Sequence, residues 1–199
     1  MATTMNKPVL AEVFGSSAGA ALRVKQAILV LVGITLLAVA AKISIPMIPV
    51  PITMGTFAVL TIGAAYGPRL GLVTILGYII VGAAGFDVFA GSTAEANGLT
   101  YMMGSTGGYL VGYVLATLAL GFAASKGLDR SVGGMALAML VGNALIYVPG
   151  LFWLGTLYGW DQPILQWGLT PFLVGDVLKL ALAALLVPAI WKMIGNARG

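Results

Sequence analysis

Asp176 and Lys179 stand three residues apart inside an apolar run that starts near Pro171 and ends around Ile194. On a helix, positions i and i+3 share a face, so the carboxylate and the ammonium lie side by side. An ionisable pair in hydrocarbon costs several kcal/mol unless it faces a bundle interior or a cavity, so both side chains are expected to point inward. A carboxylate only accepts hydrogen bonds and an ammonium only donates. Together they suit a small molecule that offers N–H donors and a carbonyl or carboxylate acceptor, and away from water each such bond is charge-assisted. The same pair could serve only itself, as a salt bridge pinning the helix, and the residues leave both readings open.

Few other side chains have chemistry to offer. Cysteine and histidine are both absent, which removes thiolate and imidazole metal sites, disulfides, cysteine nucleophiles and histidine-based triads. No catalytic residue, metal ligand or cofactor is expected. No Walker-type phosphate loop occurs, so the chain has no such route to ATP hydrolysis. Asn143 and Tyr147, one turn apart, form a further polar face whose simpler use is an interhelical hydrogen bond. Lys42 is expected to snorkel to the outer interface. The stretch from Phe89 through Gly91 and Tyr101 to Tyr109 is rich in glycine and hydroxyl groups. Glycine lets backbone approach closely, so this stretch is expected either to fold over a site that opens outward or to be a flexible extracellular loop.

The elements that position these residues follow from composition. Hydrophobic residues make up 60% of the 199 positions and charged residues 8%, against about a quarter charged in a soluble domain. Such a chain cannot cover a wetted surface, so its outside must face lipid. The reading is an all-α integral membrane protein, one domain over 1–199, built as a six-transmembrane-helix bundle. Expected spans are about 27–45, 52–66, 70–84, 104–124, 132–154 and 171–194, after an N-terminal segment 1–26. Three prolines in Ile45–Pro51 forbid regular helix there. Gly67-Pro68-Arg69 divides the second span from the third, and the long extracellular loop 85–103, with Asp87, Glu95 and Asn97, lies between helices 3 and 4.

Orientation follows from the basic residues. With a cytoplasmic N-terminus, six spans place Lys7, Arg23, Lys25, Arg69, Lys126, Arg130, Lys192 and Arg198 inside and Asp87, Glu95 and Asp161 outside, as the positive-inside rule requires. The net charge of +4 therefore points to headgroups rather than nucleic acid. A cleaved signal ending at Ala38-Val39-Ala40 is a lesser alternative. Glycines recur at four-residue spacing, at 63, 67 and 71 and again at 104, 108 and 112. This spacing makes a face for close helix packing or for approach to a ligand or partner subunit.

In order along the chain, Ile43-Ser44-Ile45-Pro46, Pro49-Val50-Pro51-Ile52-Thr53, Gly67-Pro68-Arg69-Leu70-Gly71, Val88-Phe89-Ala90-Gly91, Gly104-Ser105-Thr106-Gly107-Gly108-Tyr109-Leu110 and Gly175-Asp176-Val177-Leu178-Lys179 resemble the BioY family. These are biotin-specific S components of energy-coupling factor transporters. The resemblance spans roughly 27–194. It implies a bacterial inner-membrane protein with both termini cytoplasmic that captures biotin from outside. It also implies partners: a transmembrane coupling subunit and two ATP-binding cassette ATPases. Asp176 and Lys179 would contact the vitamin under the loop that precedes the fourth span. The candidate ligand-binding residues are Asp176, Lys179, Gly91, Tyr101, Tyr109, Asn143, Tyr147 and Thr53. The chain departs from the family pattern at Gly55, where a glutamine is usual, at Phe86-Asp87, where Leu-Pro is usual, and at Ala94-Glu95-Ala96 in the loop. Only half of an alanine-spaced docking face remains on the first helix, at Ile34 and Ala38. The alternatives from other classes are a stand-alone ion-coupled secondary transporter, with Asp176 as the ion site, and an intramembrane enzyme, which the missing nucleophile–base pair argues against.

Overall fold

The computed structural model describes residues 7–15, 18–93 and 96–198, with side chains through 195. The expected loop residues Ala94 and Glu95, and positions 1–6, 16 and 17 of the N-terminal segment, lie outside the described residues. Among the described residues, five helices are long and apolar enough to cross a membrane. Four are α2 (Gly19–Lys42), α3 (Gly55–Ala83), α5 (Gly107–Ser125) and α6 (Val132–Tyr158), and the last is built on α8 (Leu173–Arg198). Short helices α1 (Leu10–Val13), α4 (Gly98–Met102) and α7 (Ile164–Gly168) lie between them.

The elements differ from the expected spans in several places, each for a local reason. α2 starts at Gly19, eight residues before the expected start, because nothing in Ala20–Gln26 breaks a helix and Arg23 and Lys25 are good helix formers. Residues 52 and 53 are not helical. Ser44–Ile45 (β1) pairs antiparallel with Ile52–Thr53 (β2), Ser44 opposite Thr53, and the prolines sit in the connection, where no ladder donor is needed. Pro171 lies in a 3-10 turn, Thr170–Phe172, that leads into α8. α6 runs through Pro149 to Tyr158, and the two loops expected to be bare hold α4 and α7.

α3 doubles back on itself. Gly67 has φ 75° and ψ 178°, outside the helical region and open to glycine alone at little cost. Eight residues of unbroken helix would separate Gly63 from Gly71 by about 12 Å. Instead, a Cβ placed on Gly71 would lie 3.6 Å from the Gly63 Cα. The arms 55–66 and 68–83 thus run side by side, and Val9 of the N-terminal segment plugs the corner at Gly67.

Glycine also sets how close the other helices come. α5 lies between α3 and α6. A Cβ on Gly112 would meet the backbone of Ile146 at 2.6 Å and the carbonyl of Leu145 at 2.9 Å. That carbonyl has lost its i+4 donor to Pro149. Gly63 likewise faces the backbone of Thr117 at 2.8 Å. These positions serve backbone approach between helices, while Gly104 stays in the loop, where its carbonyl accepts from Trp153 Nε1 at 2.8 Å. The outer surface stays apolar, with Leu31, Ile80, Val148 and Leu185 each more than 60% exposed, as lipid requires.

Gly112→Ala is expected to push α5 from α6 and cost about 1–3 kcal/mol, the usual cost of overpacking. Gly133→Ala meets open space and should leave stability unchanged or slightly raised. Thermal melting of the two variants in detergent checks this, and equal midpoints would refute the packing role of Gly112.

Candidate functional site

One end of the bundle encloses a cavity with about 50 Å³ open to the centre of a water molecule, room for a few waters. It is walled by the end of α2, the β1–β2 hairpin, both ends of α3, the start of α5, the middle of α6 and the start of α8. α8 presents an inverted amphipathic face there. Val174, Val177 and Leu178 are 65–74% exposed, whereas Asp176 and Lys179 are 6% and 9% exposed. The two charges therefore turn into the bundle and the aliphatic side chains turn out, which is the only arrangement that lipid tolerates cheaply.

Within the bundle the pair is part of a connected network. Lys179 Nζ lies 3.2 Å from Asp176 Oδ1 and donates to Thr56 Oγ1 at 3.0 Å. Tyr147 donates its hydroxyl to Asp176 Oδ2. Each carboxylate oxygen thus has a donor, which offsets the desolvation of a buried ion. Lys179, Tyr147 and Thr56 line the cavity, while Asp176 stands behind them. The carboxylate therefore orients the donors that reach the cavity. It does not form the wall itself.

The remaining wall is aromatic. Tyr109 donates to the Gly168 carbonyl at 2.8 Å, which fixes its ring across α7. Tyr113 lies beside Thr53, and a Cβ on Gly55 would sit 3.1 Å from the Tyr113 hydroxyl, so that hydroxyl occupies the space a side chain at 55 would need. Phe89 is 1% exposed. It stacks on Tyr101 at 4.9 Å and meets Tyr78 edge-on at 5.4 Å, geometries that aromatic pairs favour.

The segment carrying Phe89 is tied down by side chain to backbone bonds. Tyr78 donates to Val88 O at 3.0 Å and Tyr101 to Ala90 O at 2.7 Å. Burial pushes the Tyr101 phenol above its ordinary pKa, so it remains a donor at neutral pH. Lys42, expected to reach into water, is exposed and pairs with Asp87 at 2.5 Å. Both side chains remain partly exposed, so the tie is one of position more than of strength. Ser92 also donates to Asp87. Hydrogen bonds from Lys42 and Ser92 hold the Asp87 carboxyl below its ordinary pKa.

Of the candidate residues, Lys179, Tyr147, Tyr101, Tyr109 and Thr53 converge on this one cavity. Asp176 touches it through Tyr147 and Lys179. Gly91 and Asn143 do not line it. Gly91 has φ 68° and an open Cβ position, so it turns the chain after Ala90, and Asn143 lies a turn away from the cavity with its Oδ1 buried and unpartnered. Sequence reasoning missed Thr56, Tyr78, Tyr113 and Phe172, and placed Phe89 only within the stretch expected to cover the site. Tyr113 was findable from Tyr109 at i,i+4 of α5, whereas Thr53 lies in β2 and gives Thr56 no helical register. Tyr78, Phe89 and Phe172 carry no periodic signal, since their approach is purely tertiary.

The sequence profile of the BioY family matches residues 10–196. The probable biotin transporter BioY of Pyrococcus horikoshii is 34% identical over 165 residues, covering 83% of this chain and 95% of the relative. The biotin transporter BioY of Thermotoga maritima is 32% identical over 158 residues, covering 79% and 90%. A crystal structure of the S-component for biotin from an ECF-type ABC transporter superposes with a TM-score of 0.72 at 21% identity, covering 88% of this chain and 95% of that one. This likeness shows a shared fold.

The lowered pKa of Asp87 gives the Lys42 tie a pH signature. A depressed folded pKa means the tie is complete above the ordinary carboxylate range and is lost as pH falls through the lower folded value. The chain has no cysteine, so a nitroxide can be attached at Thr93→Cys alone. Its spectrum should sharpen on acidification and be mobile already at pH 7 when Asp87→Asn is added. An Asp87→Asn spectrum identical to the parent at pH 7 would show that the pair does not hold the segment.

Proposed function

The chain belongs to the BioY family, and on that premise we propose that it captures biotin as the substrate-binding subunit of an energy-coupled uptake system. The observation that carries this reading is Lys179, an ammonium held in the apolar bundle by Asp176 and Thr56 and presented to a cavity with aromatic walls. The two arms of α3 cross the membrane separately, giving six crossings with both termini on the cytoplasmic side. The segment carrying Asp87 and Phe89 then faces outward. This orientation rests on the distribution of basic residues.

Biotin offers two ureido N–H groups, one ureido carbonyl and a carboxylate tail. Lys179 donates to the ureido oxygen or the carboxylate, and Tyr147 and the threonine hydroxyls at 53 and 56 complete the polar contacts. The bicyclic ring packs between Tyr109, Tyr113 and Phe172, where burying apolar area supplies most of the affinity. Asp176 keeps Lys179 and Tyr147 in place, and the loss of its charge would loosen both donors. Phe89 fills the mouth of the cavity and swings aside to admit the vitamin. The segment then closes over it and excludes water, which strengthens every polar contact inside. With no phosphate loop of its own, the chain takes energy for release on the inner side from a coupling subunit and its ATPases.

The test is binding of labelled biotin to the purified, detergent-solubilised chain, competed by other vitamins. Lys179→Ala and Asp176→Asn should each weaken binding at least tenfold, about 1.4 kcal/mol, with the protein still inserted and helical. Tyr147→Phe should weaken it less, because only one of the two donors to Asp176 is removed. Unchanged affinity in both charge variants would leave the pair as a helix pin and remove the site.

A further inference from the structure

The opposite end of the bundle carries a second concavity that the capture of a vitamin does not use. It is a groove of about 800 Å³ between the N-terminal segment at Pro8 and Val13, the start of α6, and α8 from Leu185 to Gly195. Ten residues of helix rise about 15 Å. That is half of a hydrocarbon core about 30 Å thick, so the groove is one leaflet deep.

Its chemistry is graded along that depth. Leu185, Pro188 and Ala189 line the deep end, and Trp191, Arg130 and Lys192 line the shallow end. The Arg130 guanidinium stacks 4.3 Å above the Trp191 ring and donates to Pro8 O at 3.0 Å. The ring is in turn fixed by a 2.5 Å bond from its Nε1 to Asp129 Oδ2. Arg130 is thus held in place with several N–H groups still free to donate. Lys192 is exposed and has no ion-pair partner among the described residues. Two acids lie nearby: Asp129, 1% exposed, lies beneath the tryptophan and attracts Arg130, and the exposed Glu12 accepts from Val9 N at 3.1 Å. The unpaired charge displayed at the rim is that of Lys192. On α8, Leu186, Ile190 and Met193 beside the groove are 42–71% exposed, so the groove opens on the lipid side of the helix.

A cationic rim above an apolar channel one leaflet deep, at the edge of a membrane protein, matches an anionic amphiphile in both charge and length. We propose that this groove binds an anionic phospholipid of the adjoining leaflet. The phosphate sits between Arg130 and Lys192, and one acyl chain runs along Pro188, Ala189 and Leu185. A bound lipid of this kind ties the N-terminal segment, the α5–α6 turn and the end of α8 to the bilayer surface.

The purified, delipidated full chain can be melted with added phosphatidylglycerol, with phosphatidylcholine of the same acyl chains, and with inorganic phosphate alone. Phosphatidylglycerol should raise the midpoint by several degrees, and the other two should not. Lys192→Gln, an exposed change, should cut that rise by at least half, and Ala189→Trp, which fills the channel, should abolish it. Labelled-biotin binding, unchanged in both variants, reports that they remain folded. An equal rise with phosphatidylcholine would overturn the proposal, as would a rise kept in both variants or one reproduced by phosphate alone. If both variants kept the lipid response but lost co-purification with a co-expressed coupling subunit, the groove would belong to a protein partner and the proposal would also fail.

Discussion

A lysine and an aspartate in hydrocarbon are tolerated only where each has a partner and neither meets lipid. That constraint organises this molecule. Lys179 and Asp176 share a face of α8, and the face must turn inward because the intervening Val177 and Leu178 can face lipid and the charges cannot. Once inside, the ammonium still needs acceptors and the carboxylate still needs donors. Thr56 comes from the start of α3 and Tyr147 from the middle of α6, so satisfying two charges on one helix draws three helices together. The cavity lies where that network leaves a donor facing open space.

The network can form only if the helices approach closely, and glycine decides that distance. Gly112 lets α5 lie against the backbone of α6, and Gly63 lets it lie against the first arm of α3. Gly67 reverses α3 so that Thr56 and Tyr78, on different arms, both reach the same end of the bundle. A straight helix over 55–83 would have placed them roughly 33 Å apart. The left-handed region needed at that corner is open to glycine without strain, so the corner is fixed by one residue and stoppered by Val9.

The two ends of the bundle are built for different media. At one end aromatic rings, one ammonium and a tied-down segment enclose the cavity. The partly exposed Lys42–Asp87 pair holds that segment at the surface. At the other, Arg130 and Lys192 stand exposed above a buried Asp129 and a half-buried Trp191. Charge is hidden among the helices at one end and displayed at the other, so the same few ionisable residues meet two different media.

Much of this was legible in the chain itself. The sparse charge fixed the membrane class, because too few polar residues exist to cover a wetted surface. The i,i+3 spacing of Asp176 and Lys179 marked the polar face, because helical periodicity alone puts them together. The motif order also pointed to the BioY family. What the sequence could not show is which groups meet across helices. The bond from Tyr147 to Asp176, the packing of Phe89 against Tyr78 and Tyr101 and the pairing of Lys42 with Asp87 join residues 11 to 45 positions apart, with no period linking them. The break that turns α3 back was legible as Gly67-Pro68-Arg69 between two expected spans, whereas the hairpin at 44–53 rests on a two-residue ladder that composition does not register. Periodicity reports one helix at a time. The distance between helices is set by small residues packing against particular backbones, and only the assembled bundle decides which side chains that distance brings to the cavity.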